Sequence, residues 1–234
     1  MKCLGILGGM SWESSAHYYQ LINEGVKARL GGLHSADLLL RSVDFALIER
    51  WQQQGDWDSA AAYLADAARL LKAGGAEGLV IATNTMHKVA DVIVEASGLE
   101  LIHIADCTGA VLQAEGRTKV ALLGTAFTME QSFYKQRLVD RFELEVIIPE
   151  PDQRADVHRI IYQELCLGQV NKDSRQRYID VVADLAERGA QSVILGCTEI
   201  GMLIGPADTS VALIDTTLIH AQSAVSWMLA EHSN

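Results

Sequence analysis

Gly75-Ala76-Glu77-Gly78-Leu79-Val80-Ile81-Ala82-Thr83-Asn84-Thr85 returns 114 residues later, without a gap, as Gly189-Ala190-Gln191-Ser192-Val193-Ile194-Leu195-Gly196-Cys197-Thr198-Glu199. In both copies a short apolar run is entered from glycine and left through a polar tripeptide. A continuous apolar run with such bounds suits a strand buried on both faces, as in a parallel sheet. Upstream, Leu4-Gly5-Ile6-Leu7-Gly8 corresponds to Val120-Ala121-Leu122-Leu123-Gly124 at an offset of 116. One such match arises easily among strands rich in Val, Ile and Gly. Two matches at nearly one offset point to an internal duplication.

Working outward, strand candidates fall at 2–7, 36–43, 78–83, 101–104, 118–124, 144–148, 192–196 and 211–214. Helical patterns lie between them. Ser11 or Ser14 can cap one that runs to Leu30, before Gly31-Gly32. Asp58 or Ser59 can cap a second, with Leu64, Ala67, Ala68 and Leu71 on one face and Gly74 at its end. Asp173 or Ser174 can cap a third, with Ile179, Val182 and Leu185 inward. This alternation predicts an α/β fold of two similar parallel-sheet domains. The first copy spans 1–110 and the second 111–208, and the C-terminal stretch 209–234 carries Leu218, Ala221, Val225 and Met228 at helical spacing.

The chain has 234 residues, 49% hydrophobic and 21% charged, which excludes a disordered chain and allows a sizeable core. Thirty acidic against 19 basic residues give a net charge of −11, which argues against nucleic acid or an anionic membrane as partner. No apolar run approaches the roughly 20 residues of a membrane span. The apolar stretch at the N-terminus reads as a buried strand rather than a leader, so the expected location is cytoplasmic. Cys3, Cys107, Cys166 and Cys197 show no C-x-x-C spacing and the seven histidines no ligand spacing, so no metal site is expected. Gly8-Gly9 does not complete a dinucleotide fingerprint.

In a parallel sheet, ligands gather at the carboxyl ends of strands. Thr83 and Cys197 stand at such ends, at equivalent points of the two copies. The backbone N–H groups of Asn84-Thr85 and Thr198-Glu199 are candidate cradles for a carboxylate. Such donors lower a thiol pKa toward neutrality, which makes Cys197 a candidate general base. A buried thiol at a strand end is the alternative reading.

Three motifs then carry a family resemblance. The Gly8-Gly9-Met10-Ser11-Trp12 turn, Ala82-Thr83-Asn84-Thr85-Met86-His87 and Gly196-Cys197-Thr198-Glu199 resemble the aspartate/glutamate racemase family, closest to its L-aspartate/glutamate-specific branch. The likeness covers essentially the whole chain. It implies two α/β domains with the active site in the cleft between them, no cofactor, a small acidic amino acid as substrate, and a homodimer. It also implies two cysteines flanking the substrate Cα, at positions 83 and 197. Cys197 is present, and the resemblance makes it the residue acting on the L-enantiomer. Thr83 departs from the pattern, because a hydroxyl is far too weak an acid to act as an alkoxide base near neutral pH. Fast α-proton exchange of the L-form with slow inversion is the expected behaviour.

The same resemblance places Met10, Gln52, Asn84, Thr85, Thr198 and Glu199, with Thr83, in the substrate pocket. For Met10 a backbone contact is expected, its thioether being a weak acceptor, with a core methionine as the alternative. Gln52 can be merely solvated, and Glu199 can orient the substrate ammonium or charge a helix N-terminus. Thr125 and Thr128 are weaker candidates that can simply cap the next helix. His87, four residues after Thr83, reads as a helix-surface residue, with a place lining the cleft as the alternative, and Cys3, Cys107 and Cys166 read as buried thiols. Arg41 and Arg50 lie near Gln52 but read as surface residues. Two other functions stay open: a single-cysteine decarboxylase or isomerase of the same superfamily, and a degenerate amino-acid-binding protein.

Overall fold

A computed structural model describes residues 1–230 and divides the chain into two units, residues 1–104 with 217 onward, and residues 105–216. All eight expected strands form.

In the first unit β1 (Leu4–Gly8), β2 (Leu38–Ser42), β3 (Gly78–Ile81) and β4 (Glu100–Leu101) make a parallel sheet in the order β2-β1-β3-β4. Helices α1 (Trp12–Leu30), α2 (Phe45–Gln54), α3 (Trp57–Ala73) and α4 (Ala90–Ser97) connect the strands. Alternation along the strands divides the core. Leu7, Leu79 and Ile81 pack with Leu64, Ala68 and Leu71 of α3. Leu4, Ile6 and Val80 pack on the other face with Tyr18, Ile22 and Val26 of α1. Each Leu, Ile or Val among them contributes roughly 1.5–3 kcal/mol on full burial.

The second unit repeats the plan. Strands β5 (Lys119–Gly124), β6 (Glu145–Ile147), β7 (Ser192–Gly196) and β8 (Ala212–Asp215) form a parallel sheet in the order β6-β5-β7-β8. Its helices are α5 (Ile104–Ala114), α6 (Ala126–Glu130), α7 (Ser132–Phe142), α8 (Pro151–Gln163), α9 (Lys172–Glu187) and α10 (Ile200–Leu203). Ala121, Leu123, Val193 and Leu195 pack against Val157 and Ile161 of α8 and against Tyr178, Val182 and Leu185 of α9.

The duplication extends to strand register. Gly5 pairs with Leu79 and Leu7 with Ile81 in the first sheet. Their counterparts Ala121 and Leu123 pair with Val193 and Leu195 in the second. A slip of one residue would turn every side chain to the wrong face, so identical register carries the whole face pattern from copy to copy.

The chain returns to the first unit with α11 (Thr216–Leu229), whose Ala221, Ala224, Val225 and Met228 join the face covered by α1. The Lys2 N–H donates to the Met228 carbonyl at 2.9 Å, which ties the start of the chain to the end of this helix. A Cβ on Gly78 would stand 2.5 Å from the Trp227 ring, so glycine is what lets α11 lie this close to β3. Residues 231–234 of the expected C-terminal stretch lie outside the described residues.

Three local expectations shift. The boundaries move from 110/111 and 208/209 to 104/105 and 216/217. The physical reasons are that Asp106 of α5 is held bidentately by Arg137 of α7, at 2.6 and 2.7 Å, and that β8 pairs with β7. Helix α3 is capped by Asp56, which accepts from the Ser59 N–H at 3.1 Å, rather than by Asp58 or Ser59. Helix α9 starts after Asn171, so Asp173 and Ser174 lie in its first turn. Ser11 caps α1 as expected, accepting from the Ser14 N–H at 3.2 Å.

Candidate active site

In the first unit the expected residues converge at the carboxyl ends of β1 and β3. The turn after β1 is built around Gly9, whose φ of 90° and close approach to the Val43 backbone exclude a side chain. The Gly9 N–H donates to Ser15 Oγ at 2.7 Å. Ser14 Oγ donates to the Ala82 carbonyl at 3.1 Å, tying the start of α1 to the end of β3. Met10 is buried, and its side chain belongs to the core cluster over α2 and α3. Gln52 is also buried, with its Nε2 3.1 Å from the Met86 sulfur. That bond seats α2 on the 3-10 turn Thr85–Val89, directly after Thr83 and Asn84. Asn84 and Thr85 are buried and Thr83 is half-buried.

His87 is not on a helix surface as expected. It is 4% exposed, with Nδ1 2.8 Å from the Thr83 carbonyl oxygen and Nε2 3.3 Å from the Ile104 amide nitrogen. A 3-10 turn has three residues per turn, so helical spacing misplaced this side chain. His103 stacks edge-on against it, at 4.5 Å between ring centroids. His220 of α11 lies 6.0 Å from it, fully buried; its Nε2 is 2.6 Å from the Ile102 carbonyl and its Nδ1 takes the Tyr18 hydroxyl at 2.8 Å. Burial pushes the His220 pKa down to about 4.

In the second unit Cys197 follows β7 directly. A Cβ on Gly196 would meet the Leu123 carbonyl at 2.8 Å, so the residue before the cysteine must be small. The Cys197 thiol donates to Glu199 Oε2 at 2.9 Å, and the Thr198 hydroxyl donates to the same oxygen at 2.6 Å. Glu199 itself is 5% exposed. Burial, then the charge of Glu199 beside it, push the Cys197 thiol well above the ordinary cysteine range. This reverses the expected fall toward neutrality: burial of the sulfur, together with a carboxylate folded back onto it, outweighs the local backbone N–H donor. Cys197 therefore rests as a thiol with a proton acceptor in place.

Thr125 acts as a cap here, and Thr128 lies within the helix it caps. Thr125 Oγ1 accepts from the Thr128 N–H at 3.3 Å and opens α6. His158 of α8, which the sequence did not single out, accepts the Ala126 N–H on Nδ1 at 3.1 Å. Arg41 is half-buried rather than at the surface, and its guanidinium donates to the Ser42 carbonyl. Among the described residues no group of three or more His, Cys, Asp or Glu side chains is placed to hold a metal ion, and no helix is long and apolar enough to cross a membrane.

The pattern of the Asp/Glu/Hydantoin racemase family matches residues 7–224. The chain belongs to this family. A crystal structure described as a candidate Asp/Glu racemase from Yersinia pestis is 52% identical, with a TM-score of 0.92, covering 98% of this chain and 100% of that one. An aspartate racemase homologue from Pyrococcus horikoshii is 30% identical at a TM-score of 0.84, with coverages of 98% and 100%. A glutamate racemase from Francisella tularensis, solved with D-glutamate, is 14% identical at a TM-score of 0.67, covering 100% of this chain and 85% of that one, and shares the fold alone. The racemase-family assignment agrees with the paired four-stranded sheets. Within that frame Thr83 and Cys197 occupy matching strand ends of this racemase-family chain, and only one of them is a thiol.

Proposed function

We propose that this chain is a cofactor-independent amino-acid racemase acting on L-aspartate or L-glutamate, with Cys197 as the base and Thr83 at the second proton position. The observation that carries the reading is the Cys197–Glu199 pair at the end of β7. A thiol is useful as a base only once its proton has left. Glu199 Oε2, 2.9 Å from the sulfur, is placed to take that proton and leave a thiolate. The thiolate then removes the substrate α-proton. The Cα electron pair delocalises into the α-carboxylate, whose growing charge is met by N–H and O–H donors around Asn84, Thr85 and Thr198. Return of a solvent-exchanged proton from Cys197 gives back the L-form. Delivery at the Thr83 position gives the D-form, by relay through the hydroxyl or a water it holds.

The enantiomers have equal free energy, so kcat/KM for inversion is the same in both directions. Preference for the L-form therefore shows in exchange, not in the final ratio.

Proton NMR in deuterated buffer tests the reading, following the α-proton of L- and D-aspartate and of L- and D-glutamate with the wild type and with Cys197→Ser. The expected result is loss of the L-signal, slowed about 10²–10⁴-fold in the variant. No exchange from any of the four substrates sinks the racemase reading and leaves a binding role or decarboxylation of other carbon acids.

A further inference from the structure

The two copies hold the carbonyl at one matched position beyond the strand, Thr83 and Cys197, in different ways. In the second unit the Cys197 carbonyl accepts the Ile200 N–H at 3.2 Å, an ordinary backbone turn. In the first unit the equivalent Thr83 carbonyl takes a side chain, His87 Nδ1 at 2.8 Å. The position matching His87 in the second copy is Gly201, which has no side chain to offer.

The partners of the ring decide its proton arrangement. A carbonyl oxygen only accepts, so Nδ1 carries the hydrogen. The Ile104 amide only donates, so Nε2 carries none. The imidazole is thus a neutral, one-tautomer strut, donating at one end and accepting at the other. It spans from the end of β3 to the last residue of the first unit before the chain passes into the second.

The consequence reaches the reacting groups through peptide geometry. The Thr83–Asn84 bond is trans, so its carbonyl and the Asn84 N–H point in opposite directions in one plane. Fixing the carbonyl fixes that N–H and the backbone from which the Thr83 hydroxyl projects. We infer that His87 is a positioning residue for the second proton position: it sets the Thr83–Asn84 peptide, and through it the inversion step, without acting on the substrate itself. The inference rests on the racemase reading of Thr83.

Two substitutions separate its two bonds. Asparagine can place an amide N–H where Nδ1–H stands, keeping the Thr83 bond. Glutamine can place its oxygen where Nε2 stands, keeping the Ile104 bond and losing the Thr83 one. The readout is the ratio of inversion to L-α-proton exchange. His87→Gln is expected to lower that ratio by at least about tenfold, and His87→Asn to leave it within about threefold, since small misplacements of reacting groups cost large factors in rate. A fall of exchange and inversion together in both variants, as a merely structural histidine gives, overturns the inference, as does an unchanged ratio in His87→Gln. The wild type supplies a second measurement that needs no variant to fold. Long-range proton–nitrogen correlation in ¹⁵N-histidine-labelled protein is expected to show His87 protonated on Nδ1 alone, and protonation on Nε2 overturns the strut. If the wild type exchanges no α-proton, the racemase reading has failed, and the tautomer then decides separately whether His87 holds Thr83.

Discussion

Glu199 Oε2 receives two donors at once, the Cys197 thiol at 2.9 Å and the Thr198 hydroxyl at 2.6 Å. The same carboxylate has two opposed effects on the sulfur. Its charge disfavours the thiolate, and its lone pair offers the thiol proton a place to go. Glu199→Gln separates them. Alkylation of Cys197 by iodoacetamide at pH 8 should accelerate by at least about threefold, since reactivity follows the thiolate fraction. L-α-proton exchange should fall by about 10²-fold, since the proton acceptor is gone. Parallel changes in the two rates would exclude this division of roles.

Thr83→Cys restores a thiol at the second position. Inversion of L-aspartate should rise by about 10²-fold or more, with L-exchange changed little, because only the second proton transfer gains an acid of suitable strength. Circular dichroism of the amino acid reports inversion and NMR reports exchange. Equal inversion in wild type and variant would mean that the hydroxyl already delivers the proton efficiently.

His220 makes the first unit sensitive to acid. Its folded pKa of about 4 lies below the ordinary histidine value of about 6.5, so the folded state binds fewer protons than the unfolded one between these values. The stability it allows is complete above about pH 6.5 and falls by roughly 3 kcal/mol as pH drops to 4. All four tryptophans, Trp12, Trp51, Trp57 and Trp227, belong to the first unit, so urea titrations followed by their fluorescence read that unit. His220→Gln should be less stable at pH 7.5 and show a flatter pH dependence. A wild-type stability that is level from pH 7 to 4.5 contradicts the assignment.

The duplicated strands predict an exchange that is not symmetric. Gly78 and Ser192 are equivalent positions. Gly78→Ser should destabilise the first unit by about 1–3 kcal/mol, because a Cβ there meets the Trp227 ring. Ser192 is fully buried, and its hydroxyl has no hydrogen-bond partner among the described residues. Ser192→Ala should therefore stabilise the second unit by about 1 kcal/mol. Thermal unfolding of the two variants checks both signs.

The strands were legible because runs such as Leu79–Ile81 and Val193–Leu195 are apolar throughout, which only a doubly covered strand tolerates. Helix starts were less so. Aspartates and serines crowd the entry to α3, and only backbone geometry selects Asp56 among them. The burial of Gln52 and His87 was not legible, because each is set by a partner distant in sequence, Met86 for Gln52 and Ile104 for His87. The direction of the Cys197 shift was misread for a related reason. The sulfur is buried, which is the larger cause, and a glutamate two residues away in sequence, which can point anywhere, here folds back onto it.

The second unit is one unbroken stretch of chain, residues 105–216, whereas the first is assembled from the segments before and after it in sequence. During synthesis from the N-terminus, Leu4, Ile6 and Val80 are made early, but Ala221, Val225 and Met228, which cover the same face, come last. The later domain can therefore reach its native packing from contiguous residues while the earlier one, its sheet face covered by α1, still lacks the cover of α11. A chain stalled or truncated before α11 exposes that face to aggregation or to a chaperone, although nearly every residue of the second unit is already in place.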